Sequence, residues 1–382
     1  MPGTWITNVR AVTPEGLVPA SVRVEGASIT AVELGTATPA SHDSVIDGQD
    51  RLLAPGFIDV HVHGAGGFDM MDGTAESIRE VSRLLASTGC TSFLVTSVTS
   101  SLEDLLAVID RTREVVGSEP GARIAGIHSE GPYLNEKRKG MQKPEHLRHP
   151  DLAEMQVIIE RAAGLLRMVT VAPELPGGLE LVRYLVQQGV IASVGHSDAT
   201  YETARAAFEA GASHVTHCFN QLRPIHHREP GPVVAAFEQP RVSLEAIADG
   251  VHLHPAIVRL LHRVKGPGGV VLITDAMQAM LLGDGSYRFG GQDVTVRAGR
   301  ATLADGTLAS STITMNGAVR EAVSLGLPVA DAVRMASTTP ADILGLPNKG
   351  RIAAGCDADL VLLDDDFNVR LTMVEGRAVH RA

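Results

Sequence analysis

The sequence predicts an α/β fold: a (β/α)8 TIM barrel carrying a small β-sandwich domain formed by both termini. Two observations carry this. Both ends of the chain read as short β-branched or alternating stretches broken by Gly and Pro. Between them, apolar strand-like runs alternate with helical periodicity, in the rhythm of strand–helix units around a parallel sheet.

At the N-terminus the strand-like stretches are Trp5–Val12, Ser21–Val24 and Ile29–Leu34. At the C-terminus they are Ala358–Leu363 and Val369–Val374, with a last short strand after Gly376. Residues 1–54 and 346–382 are therefore expected to form the small domain, and residues 55–345 the barrel. The expected barrel strands are Phe57–His61, Thr91–Thr96, Ile124–His128, Met168–Ala172, Ile191–Gly195, His214–His217, Ser243–Ala248 and Val270–Thr274. Helical patterns lie between them, as at Ala75–Ser87, Leu102–Val116, Leu179–Gln188 and Ala199–Ala210. A Gly-rich stretch near 283–306 reads as a β-hairpin insertion after the last strand.

The composition is that of a globular protein, with 44% hydrophobic and 20% charged residues. Aromatics supply only 3%, so the core must be mainly aliphatic. A formal net charge of −11 argues against nucleic acid or a membrane surface as partner. An anionic substrate would need a local basic pocket. Cys90, Cys218 and Cys356 form no CxxC pair or disulfide pattern and read as free thiols. The N-terminal residues lack a basic patch followed by an apolar run, and no stretch of about 18 apolar residues occurs. A cytoplasmic location is expected.

The chemistry-bearing residues sit where the expected strands end. His61 and His63 close the first strand, Glu130 follows the third, His196 the fifth and His217 the sixth. Asp249 and His252 follow the seventh and Asp275 the eighth. In a (β/α)8 barrel these ends share the face that builds active sites. His-x-His on a strand presents both imidazoles on one side, because side chains alternate with period two. Alone that spacing is a weak signal, more often two incidental histidines than a ligand pair. Glu130, His196 and His217 add one oxygen and two nitrogens, a set suited to a catalytic zinc-like ion with a position open to water. Asp275 fits either a helix N-cap or a carboxylate that exchanges protons beside the metal. His214, three residues before His217, is expected on the opposite face of its strand.

The segments PGFIDVHVHGAGGFD, HSEGPYLN, VGHSDATY, THCFN, REPG, IADGVHLHP, LITDAM, LASSTITM and GRIAAGCDADLVLLD occur in this order. Together they resemble the amidohydrolase superfamily and, within it, the N-acetylglucosamine-6-phosphate deacetylase family. The first and last of these segments are shared across the superfamily; HSEGPYLN, VGHS, THCFN and IADGVH are more specific.

The resemblance implies deacetylation of N-acetyl-D-glucosamine-6-phosphate to D-glucosamine-6-phosphate and acetate, in amino-sugar catabolism or cell-wall recycling. It implies a principal divalent metal on Glu130, His196 and His217, and a second on His61 and His63 with Glu130 bridging. Zinc is the expected ion; iron, manganese and cobalt suit the same donors. Metal-bound hydroxide would be the nucleophile, and Asp275 the general base and then the general acid. The backbone near Asn220 and Gln221, with Arg228, would bind the sugar phosphate, and His252 the sugar. A homodimer is implied, with Arg228 and His252 reaching the neighbouring subunit's site.

One position departs from the family pattern. Two residues after Lys139-Gly140 the family carries a histidine that contacts substrate near the carbonyl; this chain has Gln142. Gln142 can donate an N–H bond but carries no charge. His146, a few residues on, is the alternative. Rival functions are deacetylation of N-acetylgalactosamine-6-phosphate, hydrolysis of another amide, and a non-catalytic scaffold. Many cyclic amidases place a carbamylated lysine where Glu130 stands here.

Overall fold

The computed structural model describes residues 3–382. Its centre is an eight-stranded parallel sheet curled into a nearly closed barrel, with strands neighbouring one another in chain order. The strands are β1 (Phe57–Val62), β2 (Cys90–Ser97), β3 (Arg123–Glu130), β4 (Leu166–Val171), β5 (Ile191–Val194), β6 (His214–Val215), β7 (Ser243–Ala246) and β8 (Val270–Leu272). Parallel neighbours require crossovers. Helices follow the strands in turn: α1 (Ala75–Ala86), α2 (Leu102–Val115), α3 (Leu152–Ala162), α4 (Gly178–Gln187), α5 (Tyr201–Glu209), α6 (Gly231–Phe237), α7 (Pro255–Lys265) and α8 (Met315–Ser324).

Local sequence explains the helix starts. Thr74 accepts from the Ser77 N–H ahead of α1, Ser101 from Asp104 ahead of α2, and Thr200 from Thr203 ahead of α5. Each hydroxyl satisfies one of the donors that a helix N-terminus leaves unpaired. The first and last barrel strands are joined by side chains as well as backbone. Asp59 accepts from Thr274 Oγ1 at 2.6 Å, and the Asp275 N–H donates to His61 O at 2.8 Å.

The barrel strands are buried nearly throughout, so they read as continuous apolar runs rather than alternating ones. Ile58, Val60, Leu94, Met168, Val271 and Ile273 form one cluster around the barrel, closed by Ala341 and Leu344. Polar side chains form another group inside it. Thr170 and Thr216 hydroxyls lie 2.7 Å apart, Ser193 Oγ is 2.6 Å from Thr216, and His128 Nε2 is 2.8 Å from Thr170. Gly195 passes close to these threonines. A Cβ there would fall 2.6 Å from Thr170 Cγ2 and 2.7 Å from Thr216 Cβ, so the turn into His196 requires glycine.

The two chain ends meet in one seven-stranded sheet. Its strand order is 377–381, 369–374, 360–363, 44–55, 4–13, 16–25 and 28–34. Ile6, Val22 and Ile29 from one end share a core with Leu360, Leu371 and Met373 from the other. The insertion after β8 is larger than a hairpin. It is a four-stranded antiparallel sheet over Gly285–Phe289, Gln292–Arg297, Arg300–Thr302 and Leu308–Ser310. Its apolar face, with Phe289, Val294 and Val296, packs on Val98, Met141 and Met277 at the barrel mouth.

Phe93 on β2 is fully buried in the main core. Phe93→Ala is expected to destabilise the protein by ~3–5 kcal/mol, from lost transfer energy plus a cavity. Leu34→Ala, at a 77% exposed position, should shift stability by no more than about 0.5 kcal/mol. Thermal unfolding of both variants beside the parent checks the contrast.

Candidate metal centre and active site

Glu130 is the last residue of β3, and its carboxylate is the hub of the site. Its Oε1 lies 3.1 Å from His196 Nε2 and 3.1 Å from His217 Nε2, and those two nitrogens are 3.1 Å apart. His61 Nε2 and His63 Nε2 lie 3.2 Å apart on the other side, each 3.6 Å from a Glu130 oxygen. Asp275 Oδ1 is 3.2 Å from His63 Nε2 and 3.5 Å from His61 Nε2. All six side chains are buried. They form two potential ligand groups, Glu130–His196–His217 and His61–His63–Asp275.

The outward nitrogen of each ring shows whether these residues suit a metal. His196 Nδ1 is 2.7 Å from Arg138 O, His217 Nδ1 3.2 Å from Asn220 O, and His63 Nδ1 3.2 Å from Thr96 O. His61 Nδ1 is 3.0 Å from Glu245 Oε2. A carbonyl or carboxylate can only accept, so each Nδ1 carries a proton and each Nε2, once it sheds any proton of its own, presents a lone pair inward. Four lone pairs converging on two carboxylates is a donor set that fits divalent cations.

The charges are strongly interdependent. Burial favours the neutral acid, yet hydrogen bonds from His196 and His217 and the nearby His61 hold Glu130 well below the ordinary carboxylate range. Burial is likewise outweighed at Asp275, lowered by His61, His63 and His217. For His61, burial works against the imidazolium, but Glu245, Asp275 and Glu130 prevail and raise it to about 10. His217 is raised too, chiefly by Glu130 against the cost of burial.

Three of the six residues occupy the left-handed region: His196 at φ 45°, His217 at φ 25° and Asp275 at φ 46°. Such conformations cost about 1–3 kcal/mol each and persist only where the surroundings enforce them. Each lies just past a strand end, where the chain turns its side chain back over the barrel mouth.

A cavity of about 480 Å³ opens onto this cluster. Asn220, Gln221, His252 and Gln142 all line it, with Phe289 and Leu308–Ser310 from the insertion. Gln142 is buried; its Nε2 donates to Glu130 Oε2 at 2.7 Å and its Oε1 accepts from the Thr99 N–H at 2.8 Å. His146 lines a neighbouring cavity instead. Asn220 Nδ2 is buried and has no acceptor among the described residues. His252 faces the cavity of its own chain, with Nδ1 2.7 Å from Asp249 Oδ2. Arg228 is exposed, 2.7 Å from His227 Nε2, and is absent from the lining of this cavity.

Strand alternation fails for His214. It was expected to face away from His217, yet its ring turns into the barrel interior beneath the ligand cluster: His214 Nε2 lies 3.1 Å from Glu245 Oε1, and Glu245 Oε2 lies 3.0 Å from His61 Nδ1. The physical reason is that β6 ends at Val215, and the left-handed turn at His217 resets the direction of its side chain. Sequence reasoning missed Glu245 and His128. The available signal was a glutamate inside the apolar run VSLEAIA, since Glu is almost never fully buried without a partner.

The family model for the amidohydrolase family matches residues 52–379. The chain belongs to the amidohydrolase family. Among similar amidohydrolases, an N-acetylglucosamine-6-phosphate deacetylase of Bacillus subtilis is 40% identical over 333 residues, covering 86% of this chain and 84% of the relative. An N-acetylgalactosamine-6-phosphate deacetylase of Escherichia coli O157:H7 is 40% identical over 337 residues, covering 87% and 89%. A Mycobacterium smegmatis N-acetyl-D-glucosamine-6-phosphate deacetylase mutant, solved in complex with N-acetyl-D-glucosamine-6-phosphate, superposes with a TM-score of 0.93 at 40% identity. That match covers 99% of this chain and 100% of the other.

A ligand histidine must shed its inward proton before it can bind a cation. With His61 raised to about 10, cation affinity at the His61–His63 group should rise with pH, by up to about tenfold per unit between pH 6 and 8. Calorimetric titration of metal-free protein in buffers of differing ionisation enthalpy should register the released proton. Affinity independent of pH would remove this account.

Proposed function

We propose that the chain is a metal-dependent deacetylase of N-acetyl-D-glucosamine-6-phosphate, releasing D-glucosamine-6-phosphate and acetate. The observation that carries this reading is the convergence of Glu130, His196 and His217 with His61, His63 and Asp275 at the floor of one cavity. Deacetylases of the same substrate cover most of the chain at about 40% identity. Glu130, His196 and His217 would hold the principal ion, and His61 and His63 a second one bridged by Glu130. Zinc suits this set of four imidazoles and two carboxylates, and iron, manganese or cobalt would also be accommodated. A bound divalent ion supplies water that ionises near neutral pH and polarises the amide carbonyl.

The protein's own groups do the rest. Asp275 is held at the edge of the cluster, where it takes the proton of the attacking water. It returns that proton to the amine nitrogen as the C–N bond breaks. Its depressed pKa keeps it ionised and ready as a base. Gln142 steadies the Glu130 carboxylate through one N–H, and its amide has a second N–H to offer the carbonyl oxygen. Asn220 Nδ2, buried without an acceptor, suits a phosphate or sugar oxygen, alongside the neighbouring backbone at Gln221. His252, oriented by Asp249, would contact the sugar. Arg228 lies on an exposed segment and offers a planar fork for phosphate oxygens. We infer that it serves the neighbouring site of a homodimer. The product would feed amino-sugar catabolism or cell-wall recycling.

The similarity to an N-acetylgalactosamine-6-phosphate deacetylase, also at 40% identity, supports the galactose-configured phosphate as a second substrate reading. Acetate release from both sugar phosphates and from unphosphorylated N-acetylglucosamine separates these possibilities. Rapid turnover of the glucose-configured phosphate is expected; no turnover of any substrate by metal-loaded protein would overturn the assignment. Asp275→Asn should retain its metal content while turnover drops by a factor of about 10²–10⁴. Arg228→Ala should mainly raise KM for the phosphorylated sugar. In mixtures of Arg228→Ala with Asp275→Asn chains, partial recovery of low-KM activity would identify contribution across a dimer. Strictly additive behaviour would place Arg228 outside the neighbouring site.

A further inference from the structure

We propose that Glu245 is the positioning residue that aims His61 at a metal ion and locks it to His217, an inference that rests on the metal-binding reading above. Glu245 lies inside β7 and is completely buried. A carboxylate there is costly unless every lone pair facing protein is used. Its Oε2 accepts from His61 Nδ1 at 3.0 Å and from the His217 backbone N–H at 2.8 Å. Its Oε1 is 3.1 Å from His214 Nε2, whose Nδ1 is 2.6 Å from Ser243 Oγ. One oxygen atom therefore contacts a member of each ligand group.

The arrangement is asymmetric. His63, His196 and His217 are each backed by a main-chain carbonyl, whereas His61 is backed by a carboxylate. A carboxylate behind an imidazole fixes its tautomer and raises its basicity as a ligand. Glu245 thus acts on the His61–His63–Asp275 group through charge, and on Glu130–His196–His217 only through the position of the His217 backbone. Removing the charge while keeping the shape should weaken the first group selectively. Glu245→Gln does this: its amide oxygen can replace Oε2, and its NH₂ can face His214 Nε2 once His214 moves its proton from Nε2 to Nδ1, towards Ser243 Oγ.

The experiment is titration of full-length, metal-free protein with Co²⁺, read by visible absorbance and by metal content after gel filtration. Two ions per wild-type chain are expected. In E245Q the affinity of the His61–His63 ion should fall about 10–100-fold, with the other ion changed by less than about threefold. Equal losses at both groups, or none at either, would overturn the proposal while leaving the metal reading intact. A wild-type chain that takes up a single ion, on Glu130, His196 and His217, would overturn the two-ion reading and this proposal together. If E245Q does not fold, ¹⁵N-histidine labelling of the wild type decides. Metal-induced change at His61 Nε2 with Nδ1 still protonated supports the role of Glu245; coordination through Nδ1 overturns it.

Discussion

The Glu130 carboxylate is the contact on which the functional end of the barrel depends. Two imidazole nitrogens meet one of its oxygens, and the other oxygen faces His63 and the Gln142 amide. Four inward lone pairs beside two ionised carboxylates would repel one another in a dry site. The convergence is tolerable only because each ring is fixed from behind and because a proton or cation can occupy the centre. The ends of five strands thus answer to a single electrostatic requirement. The barrel meets it by bringing the ends of strands distant in sequence to one face.

Part of the cost is stored in the backbone. His196, His217 and Asp275 all hold left-handed conformations that a side chain with a Cβ disfavours. Each is secured by hydrogen bonds that a relaxed turn would lose. The Asn135 N–H donates to His196 O, Glu245 takes the His217 N–H, and the Asp275 N–H donates to His61 O. The polar group of Ser193, Thr170, Thr216 and His128 lies among these same strands and satisfies itself internally. Burial holds His128 neutral, down to about 3, with His61 adding to the effect. Its charge therefore does not compete with the ligand cluster.

The alternation of strand and helix, and the positions of His61, His63, Glu130, His196, His217 and Asp275 at strand ends, were legible in the sequence. They follow from periodicity and from one rule about barrel faces. Gln142 was legible as a substitution, but its bond to Glu130 was not, because the loop path over the barrel mouth has no periodic signature. His214 defeated the alternation rule for a definite reason: the rule holds only while the strand lasts, and β6 lasts two residues. Glu245 carried a compositional warning, a charge in an apolar strand, but its partners lie at residues 61, 214 and 217 and only the closed barrel joins them. The insertion shows the same limit. Its Gly-rich turns announced β-structure, while the packing of Phe289 against His63, with ring centroids 5.2 Å apart, is purely tertiary.

The proposed substrate is anionic and the chain is acidic, an electrostatic problem that the site would have to resolve locally. The formal charge is −11, and Glu130 and Asp275 add negative potential at the cavity floor. Cations on the imidazole groups would offset both carboxylates just where the amide must sit. The phosphate then has to be received away from Glu130 and Asp275, by donors that bring little net charge. Asn220 Nδ2 and the backbone at Gln221 meet that description on the chain itself. A full positive charge is available from Arg228 on its exposed segment, free of the three carboxylates that cluster around His61. Separating the two anionic demands along one cavity, with cation-compensated carboxylates at the amide and neutral N–H donors at the phosphate, would let the acidic protein take the proposed substrate in a single orientation. Reversing the proposed sugar would set its phosphate against Asp275, so the charge layout would favour the acetamide end at the ligand cluster.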